Sequence, residues 1–229
     1  MKKNALIILC GTALAVFIAI AALVQAGAME VVDVNVGAWV RALESDTLTR
    51  LMRIISHAGQ WFVYVPMAIL LLVIPASRAK VGLPAAIVLT ISAILNHFLK
   101  IAFGVPRPDV RTLIAETGYG FPSGHAMNGT AFIGICMFLF LRYSYKRPLK
   151  ITVFAACTCF LLLTWFGRVY LGVHSFSDVV AGCAAGVFLC TLALWITGQP
   201  SKTASNCQSS APDRSGSAAS PQQTARQPD

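Results

Sequence analysis

The chain has 229 residues, of which 56% are hydrophobic and only 12% are charged, and its formal net charge is +9. A soluble globular domain carries about 25% charged residues, so this composition excludes an ordinary soluble protein and indicates a one-domain integral membrane protein. The positive charge does not indicate nucleic-acid binding, because the lysines and arginines gather in short segments between apolar runs and no basic groove with interleaved aromatic residues is present.

The first half of the chain predicts three spans and one amphipathic segment. Residues 5–26 form an apolar run that we expect to be retained as a helix; a cleaved signal peptide is the alternative. Residues 27–59 carry apolar side chains at near-helical spacing among charged ones, which predicts an amphipathic segment at the membrane interface. Residues 61–76 and 83–103 are the next two spans, joined by a basic turn.

The second half predicts three more spans, at residues 126–141, 151–166 and 178–196. Six spans place every basic loop on one side of the membrane, so the positive-inside rule predicts that both termini are cytoplasmic. The predicted fold class is all-α, an integral membrane bundle of six transmembrane helices (residues 1–197) with an amphipathic external segment. Residues 198–229 are rich in Ser, Gln, Pro and Ala, which predicts a disordered cytoplasmic tail.

The short polar segment between the last two spans carries charges that are costly near a bilayer, where a central charge costs roughly 2.5–3.5 kcal/mol. Arg168 or Asp178 alone would only mark a helix end. If a helix begins near Ser175, however, His174 and Asp178 are four residues apart and share one face. A carboxylate beside an imidazole fixes its tautomer, as a nucleophilic or general-base histidine requires. The spacing therefore indicates a functional site, which Arg168 reaches from the preceding helix.

Two further polar clusters fall on the same predicted side. Lys100 and Arg107 bracket a turn, where single cations more often anchor lipid headgroups. Ser123 can N-cap the next helix, whose free N–H groups attract anions. Gly124 would let an oxyanion approach the backbone closely, and His125 follows it. Together, three cations, a helix N-terminus and two histidines predict a phosphate site. No metal or other cofactor is expected, because the histidines are too few for zinc and no carboxylate cluster suits Mg²⁺.

In order and spacing, the three clusters resemble the signature of the type 2 phosphatidic acid phosphatase superfamily: Lys-x6-Arg-Pro, Pro-Ser-Gly-His and Ser-Arg-x5-His-x3-Asp. The motifs cover residues 100–178, and the helix pattern extends the resemblance over most of residues 5–197. One position departs from the signature, because Gly167 stands where the family usually has serine. A hydroxyl contact is therefore missing, and we expect a modest effect on activity.

This resemblance implies a metal-independent lipid phosphatase. It implies that His174 attacks phosphorus to form a phosphohistidine, that Asp178 orients His174, and that His125 protonates the leaving group and then activates water. The residues implied to bind the substrate phosphate are Lys100, Arg107, Arg168, Ser123 and Gly124. The expected substrate is undecaprenyl diphosphate; phosphatidate, phosphatidylglycerol phosphate and lipid A are the alternatives.

The expected location is a bacterial inner membrane, with the active site on the periplasmic face, opposite the basic loops. The expected partners are the lipid bilayer and a phospholipid or polyprenyl phosphate substrate. A non-enzymatic lipid transporter is a second hypothesis, since intramembrane charges can line a substrate path. A transporter would carry those charges at mid-helix depth, whereas here they lie at helix ends, which favours the enzyme.

Overall fold

The computed structural model describes residues 3–144 and 146–197, and the predicted tail at residues 198–229 lies outside this part. All regular secondary structure in the described part is helical. In chain order the helices are α1 (Lys3–Gln25), α2 (Glu30–Arg41), α3 (Asp46–Ala58), α4 (Trp61–Val73), α5 (Pro75–Ser77), α6 (Leu83–Phe103), α7 (Gly124–Tyr143), α8 (Arg147–Tyr170) and α9 (Phe176–Ile196). A π-helical turn, Arg78–Gly82, joins α5 to α6. The predicted all-α membrane fold is confirmed.

Five helical stretches of the described part are long and apolar enough to cross a membrane: α1, the stretch Pro75–Phe103, α7, α8 and α9. The predicted second span differs from the structure. Helix α4 has 13 residues, which at 1.5 Å per residue is about 20 Å, shorter than a hydrocarbon core of about 30 Å. Only α3 and α4 together reach the required length, and they are bent by 44°. These two helices form either a broken sixth span or a re-entrant segment.

The predicted amphipathic segment forms α2 and α3. Ser45 caps α3, since its hydroxyl accepts a hydrogen bond from the Leu48 N–H at 3.4 Å. Helix α3 buries Met52, Ile55 and Ser56 on one face, and this face packs against α8. A helix with one apolar face and charged residues opposite is stable only against such a partner, so packing on the bundle fixes where α3 lies.

Close packing of α7 on α9 brings two of the predicted clusters together. A Cβ atom on Gly182 would lie 2.6 Å from the Ser123 carbonyl oxygen, and one on Gly186 would lie 2.6 Å from the Met127 carbonyl oxygen. Glycines one turn apart permit such backbone contact between membrane helices. The Ser123 N–H then donates to the Asp178 carbonyl oxygen at 3.0 Å. The starts of α7 and α9 therefore lie side by side.

Helix α8 is longer than the predicted span, because it continues through Phe166 to Tyr170. Gly167 and Arg168 consequently lie in its last turn rather than in a loop. The Arg168 side chain is fully buried, which is possible because polar groups from α3 and from the 104–123 loop bind its guanidinium group.

Candidate active site

A cavity of about 320 Å³ lies at the end of the bundle where α7 and α9 begin. We call it the catalytic cavity. Six of the eight predicted site residues line it: Lys100, Arg107, Gly124, His125, Arg168 and His174. The other two, Ser123 and Asp178, are buried directly behind it. Its apolar wall comes from α4 and α6 and consists of Trp61, Tyr64, Val65, Leu89 and Ala93.

His174 and Asp178 form the predicted pair. His174 Nδ1 lies 3.2 Å from Asp178 Oδ2, and the same oxygen accepts the Ser175 N–H at 2.9 Å. Because an ionised carboxylate can only accept a hydrogen bond, the proton of a neutral His174 lies on Nδ1. Its Nε2 then carries the lone pair, which accepts a hydrogen bond from Arg107 Nη1 at 3.5 Å. Burial, followed by the nearby positive charges of Arg168, Lys100 and Arg107, lowers the pKa of His174 well below its usual value, so the imidazole is neutral at pH 7.

His125 lies in the first turn of α7 and, like His174, lines the catalytic cavity. Its Nε2 is 3.2 Å from the Ser56 carbonyl oxygen. A carbonyl oxygen can only accept a hydrogen bond, so a neutral His125 carries its proton on Nε2. His125 thus presents a proton donor and His174 a lone pair within the same cavity.

Backbone carbonyl groups hold two of the three cations in place. Lys100 Nζ donates to the carbonyl oxygens of Tyr119 and Gly120. Arg107 donates to three carbonyl oxygens, those of Thr117, Gly118 and Val173. The Lys100 bonds join the end of α6 to the 104–123 loop, and the Arg107 bonds join that loop to Val173, which precedes α9. Both positive charges are thereby fixed at the cavity wall. A preorganised set of cations binds an oxyanion without further rearrangement.

Arg168 is held by two side chains that are not among the predicted site residues. Its Nη1 donates to Ser56 Oγ and its Nη2 to Glu116 Oε1, both at 2.7 Å. The second carboxylate oxygen of Glu116 lies 3.5 Å from Arg107 Nη2. Burial opposes ionisation of Glu116, but the charge and hydrogen bond of Arg168 outweigh it and lower the pKa of this carboxyl group. An ionised carboxylate therefore bridges two of the three cations.

Two buried polar atoms beside the catalytic cavity make no hydrogen bond in the described part of the chain, Arg168 Nε and Ser123 Oγ. Ser123 is the N-cap residue of α7, as predicted, but its side chain makes no capping bond. Leaving a buried donor unpaired costs about 1–3 kcal/mol. Both atoms belong to predicted phosphate-binding residues, and Arg168 itself lines the cavity.

Gly124, predicted to let an oxyanion approach the backbone, also has a packing role. A Cβ atom at this position would lie 2.9 Å from Asn96 Oδ1. The Asn96 amide in turn donates to the Pro122 carbonyl oxygen at 3.2 Å. Any side chain at residue 124 would therefore displace Asn96 and loosen the start of α7.

Asp33 of α2 is a further residue near the site that sequence reasoning missed. Its two carboxylate oxygens accept the N–H and the hydroxyl of Ser177, at 2.8 and 2.6 Å. Burial raises the pKa of Asp33 above its ordinary value, and the hydrogen bonds from Ser177 oppose this. Because Ser177 immediately precedes Asp178, this contact holds the first turn of α9. Nothing in the sequence singles out Asp33, whereas Ser56 is recognisable as a polar residue on the buried face of an amphipathic helix.

Within residues 3–144 and 146–197, no group of three or more His, Cys, Asp and Glu side chains is arranged to hold a metal ion. Positive charge at the site therefore comes from the three cationic side chains and the start of α7. This arrangement can bind and polarise a phosphate group.

Comparison with known proteins gives consistent matches. A family model described as the PAP2 superfamily matches residues 81–201. The chain is 28% identical over 179 residues to phosphatidylglycerophosphatase B of Bacillus subtilis, covering 76% of this chain and 87% of that protein. It is 30% identical over 156 residues to the undecaprenyl-diphosphatase of Sulfolobus acidocaldarius, covering 66% of this chain and 71% of that protein.

A solved structure also matches. The crystal structure of a transmembrane PAP2-type phosphatidylglycerolphosphate phosphatase from Bacillus subtilis superposes with a TM-score of 0.75 at 23% identity, covering 84% of this chain and 98% of that one. At this level of identity the similarity shows the fold.

Proposed function

The chain belongs to the PAP2 superfamily of membrane lipid phosphatases, and we propose that it removes the terminal phosphate from a lipid phosphate through a phosphohistidine at His174. One observation carries the proposal. His174 is a buried, neutral imidazole whose Nδ1 contacts Asp178 and whose Nε2 lies in a cavity lined by three cations.

In the first step, the Nε2 lone pair of His174 attacks phosphorus and the bond from phosphorus to the lipid oxygen breaks. Asp178 stabilises the positive charge that develops on the imidazole. Lys100, Arg107 and Arg168 neutralise the phosphoryl oxygens, and Ser123 Oγ and Arg168 Nε gain the partner they lack. His125, in its imidazolium form when the anionic substrate is bound, gives one proton to the leaving oxygen and becomes neutral. Positioning and charge neutralisation are what phosphoryl transfer requires.

In the second step, water attacks the phosphohistidine. His125, now neutral, accepts a proton from that water, the N–P bond breaks, and orthophosphate is released. His174 then regains its neutral form, and both histidines are restored to their starting protonation states.

We propose undecaprenyl diphosphate as the substrate, with phosphatidylglycerol phosphate as the second candidate. The first is supported by the similarity to an undecaprenyl-diphosphatase, and the second by the longer alignment with a phosphatidylglycerophosphatase. Phosphatidate and lipid A are the further alternatives. We also propose that the site faces outward from a bacterial inner membrane, because the basic residues Arg78, Lys80 and Arg142 lie at the opposite ends of the helices that carry it.

Phosphate release by the purified protein in detergent, with EDTA present, tests the proposal. The substrates are undecaprenyl diphosphate, phosphatidylglycerol phosphate, phosphatidate and lipid A. Turnover of at least one is expected, and His174→Ala should reduce it to background while leaving the unfolding temperature unchanged. His97→Ala is the matched control, because His97 is exposed on α6. It lines neither the catalytic cavity nor the adjoining cavity beside Arg53. Wild-type activity in His174→Ala would refute the mechanism, and no release from any lipid would favour a transporter.

His125→Ala separates the two histidine roles. General acid catalysis contributes about 10²–10⁴-fold, so the variant should lose activity most strongly on phosphatidate, whose leaving group is an alkoxide. The loss should be smaller on undecaprenyl diphosphate, whose leaving group is a phosphate. An equal loss on both substrates would show that His125 is not the acid.

A further inference from the structure

In the proposed mechanism, His125 protonates the leaving group and so shows where that group lies. His125 Nε2 is 3.2 Å from the Ser56 carbonyl oxygen, so a leaving oxygen within reach of His125 lies beside Ser56. Ser56 is in the last turn of α3, near the bend between α3 and α4. The group that joins phosphate to lipid therefore lies against α3.

A second cavity of about 350 Å³ opens at this point. We call it the Arg53 cavity; it is lined by Arg53, Ser56, His57, Gln60 and residues 113–116. Gln60 and Glu116 line both cavities, so the two adjoin. They differ in character: the catalytic cavity has an apolar wall from α4 and α6, whereas the Arg53 cavity carries a cation, an imidazole and an amide.

Arg53 is placed to meet a substrate anion. It is exposed and lies three residues before Ser56, about 5 Å along the axis of α3. Its Nη2 donates to the Leu113 carbonyl oxygen at 2.8 Å, and its other N–H groups have no partner among the described residues. The acid in this cavity, Glu116, is already paired with Arg168 and Arg107. Within the described part of the chain, Arg53 is thus a cation without a counterion beside the leaving-group position.

We propose that the Arg53 cavity binds a second phosphate group of the substrate, the one that stays on the lipid after the terminal phosphate is removed. Arg53 supplies the charge, and His57 and Gln60 supply further polar contacts. The inference rests on the proposed function, since it assumes that the terminal phosphate is held at His174.

Two classes of lipid carry such a group. In a polyprenyl diphosphate the second phosphate adjoins the bond that breaks, so Arg53 would also stabilise the negative charge that this bond leaves on it. In phosphatidylglycerol phosphate a glycerol separates the two phosphates. Phosphatidate has no second phosphate and serves as the reference substrate.

The test compares Arg53→Gln with the wild-type protein on undecaprenyl diphosphate, phosphatidylglycerol phosphate and phosphatidate. We expect kcat/KM to fall about tenfold on a two-phosphate lipid, as for loss of one hydrogen bond to a charged group, and to stay within about twofold on phosphatidate. Arg50→Gln is the matched control, because Arg50 is exposed on the same helix and lines neither cavity. A loss on the diphosphate alone would place the subsite directly beside the scissile bond, and a loss on the glycerol phosphate alone would place it one glycerol away.

Equal losses on all three lipids would overturn the inference, because Arg53 would then only tether Leu113. No loss on either two-phosphate lipid would also overturn it. A second measurement uses only phosphatidate, which carries no second phosphate, as the substrate. Methylenediphosphonate should inhibit its hydrolysis by the wild type more strongly than orthophosphate does, and Arg53→Gln should remove that difference. If the wild-type protein hydrolyses none of the lipids, the proposed function itself fails, which is a separate outcome.

Discussion

Gly167→Ser, which introduces the serine usual in the family signature, should destabilise this protein rather than activate it. A Cβ atom at residue 167 would lie 3.3 Å from Met52 Sδ and 3.9 Å from the Met52 carbonyl oxygen. Met52 is almost fully buried on α3, so a side chain at residue 167 would press on Met52 Sδ unless that atom shifts. The structure thus gives a reason for glycine here: α3 packs directly on the last turn of α8.

The size of the effect follows from this contact. Adding atoms to a packed core costs about 1–3 kcal/mol, and we expect the low end because the Sδ atom of a flexible methionine can shift. For a chain of this length, 1 kcal/mol lowers the unfolding temperature by about 2–4 °C. Activity should fall about three- to tenfold, because a displaced α3 moves Ser56, which binds both Arg168 and His125.

A double-mutant cycle with Met52→Ala tests this packing effect by thermal unfolding and phosphate release in detergent. Met52→Ala alone should cost about 2–5 kcal/mol. In the double variant the serine fills part of that space, so the combined cost should be smaller than the sum by about 0.5–3 kcal/mol. Gly134→Ser is the control, since a Cβ there would meet only Cys190, at an ordinary 3.5 Å. Additive costs, or a Gly167→Ser protein that is stable and more active, would refute the packing argument.

Two further substitutions test contacts at the edge of the site. Glu116→Gln removes the carboxylate that bridges Arg168 and Arg107. Because this carboxylate competes with a bound anion for the arginines, vanadate should inhibit the variant at about tenfold lower concentration than wild type. Weaker inhibition would show that Glu116 positions the arginines instead. Asp33→Asn keeps only one acceptor oxygen for Ser177, so it should lower the unfolding temperature and reduce kcat more than it changes KM. An unchanged kcat would show that this contact does not position the start of α9.

The three motifs could be read from the sequence because each depends on local spacing. His174 and Asp178 are four residues apart, so a helix starting near Ser175 is sufficient to pair them, and α9 begins at Phe176. Lys100 and Arg107 flank one turn, and their partners are backbone carbonyl groups of the loop that follows. Hydropathy likewise located the long spans, since an apolar run of about 20 residues has the length that a helix needs to cross the hydrocarbon core.

The contributions of α3 could not be read in this way, because they depend on which helices pack together. Ser56 meets Arg168 across 112 residues of sequence, and no local spacing relates the two positions. The bend at residues 59–60 was missed for a similar reason. The sequence of α4 is apolar enough to span, but the turns that limit this helix to 13 residues leave no mark in the apolar pattern.

Helix α3 connects catalysis with substrate choice. One face of its last two turns supplies the Ser56 carbonyl oxygen to His125 and the Ser56 hydroxyl to Arg168, while Arg53 and His57 line the adjoining cavity. A shift of α3 would therefore move His125, Arg168 and the proposed leaving-group subsite at the same time. Substitutions on its buried face should change the activity on every lipid, whereas substitutions at Arg53 should change only the preference among them. Relatives that share the three motifs could thus differ in substrate through the surface of this one helix.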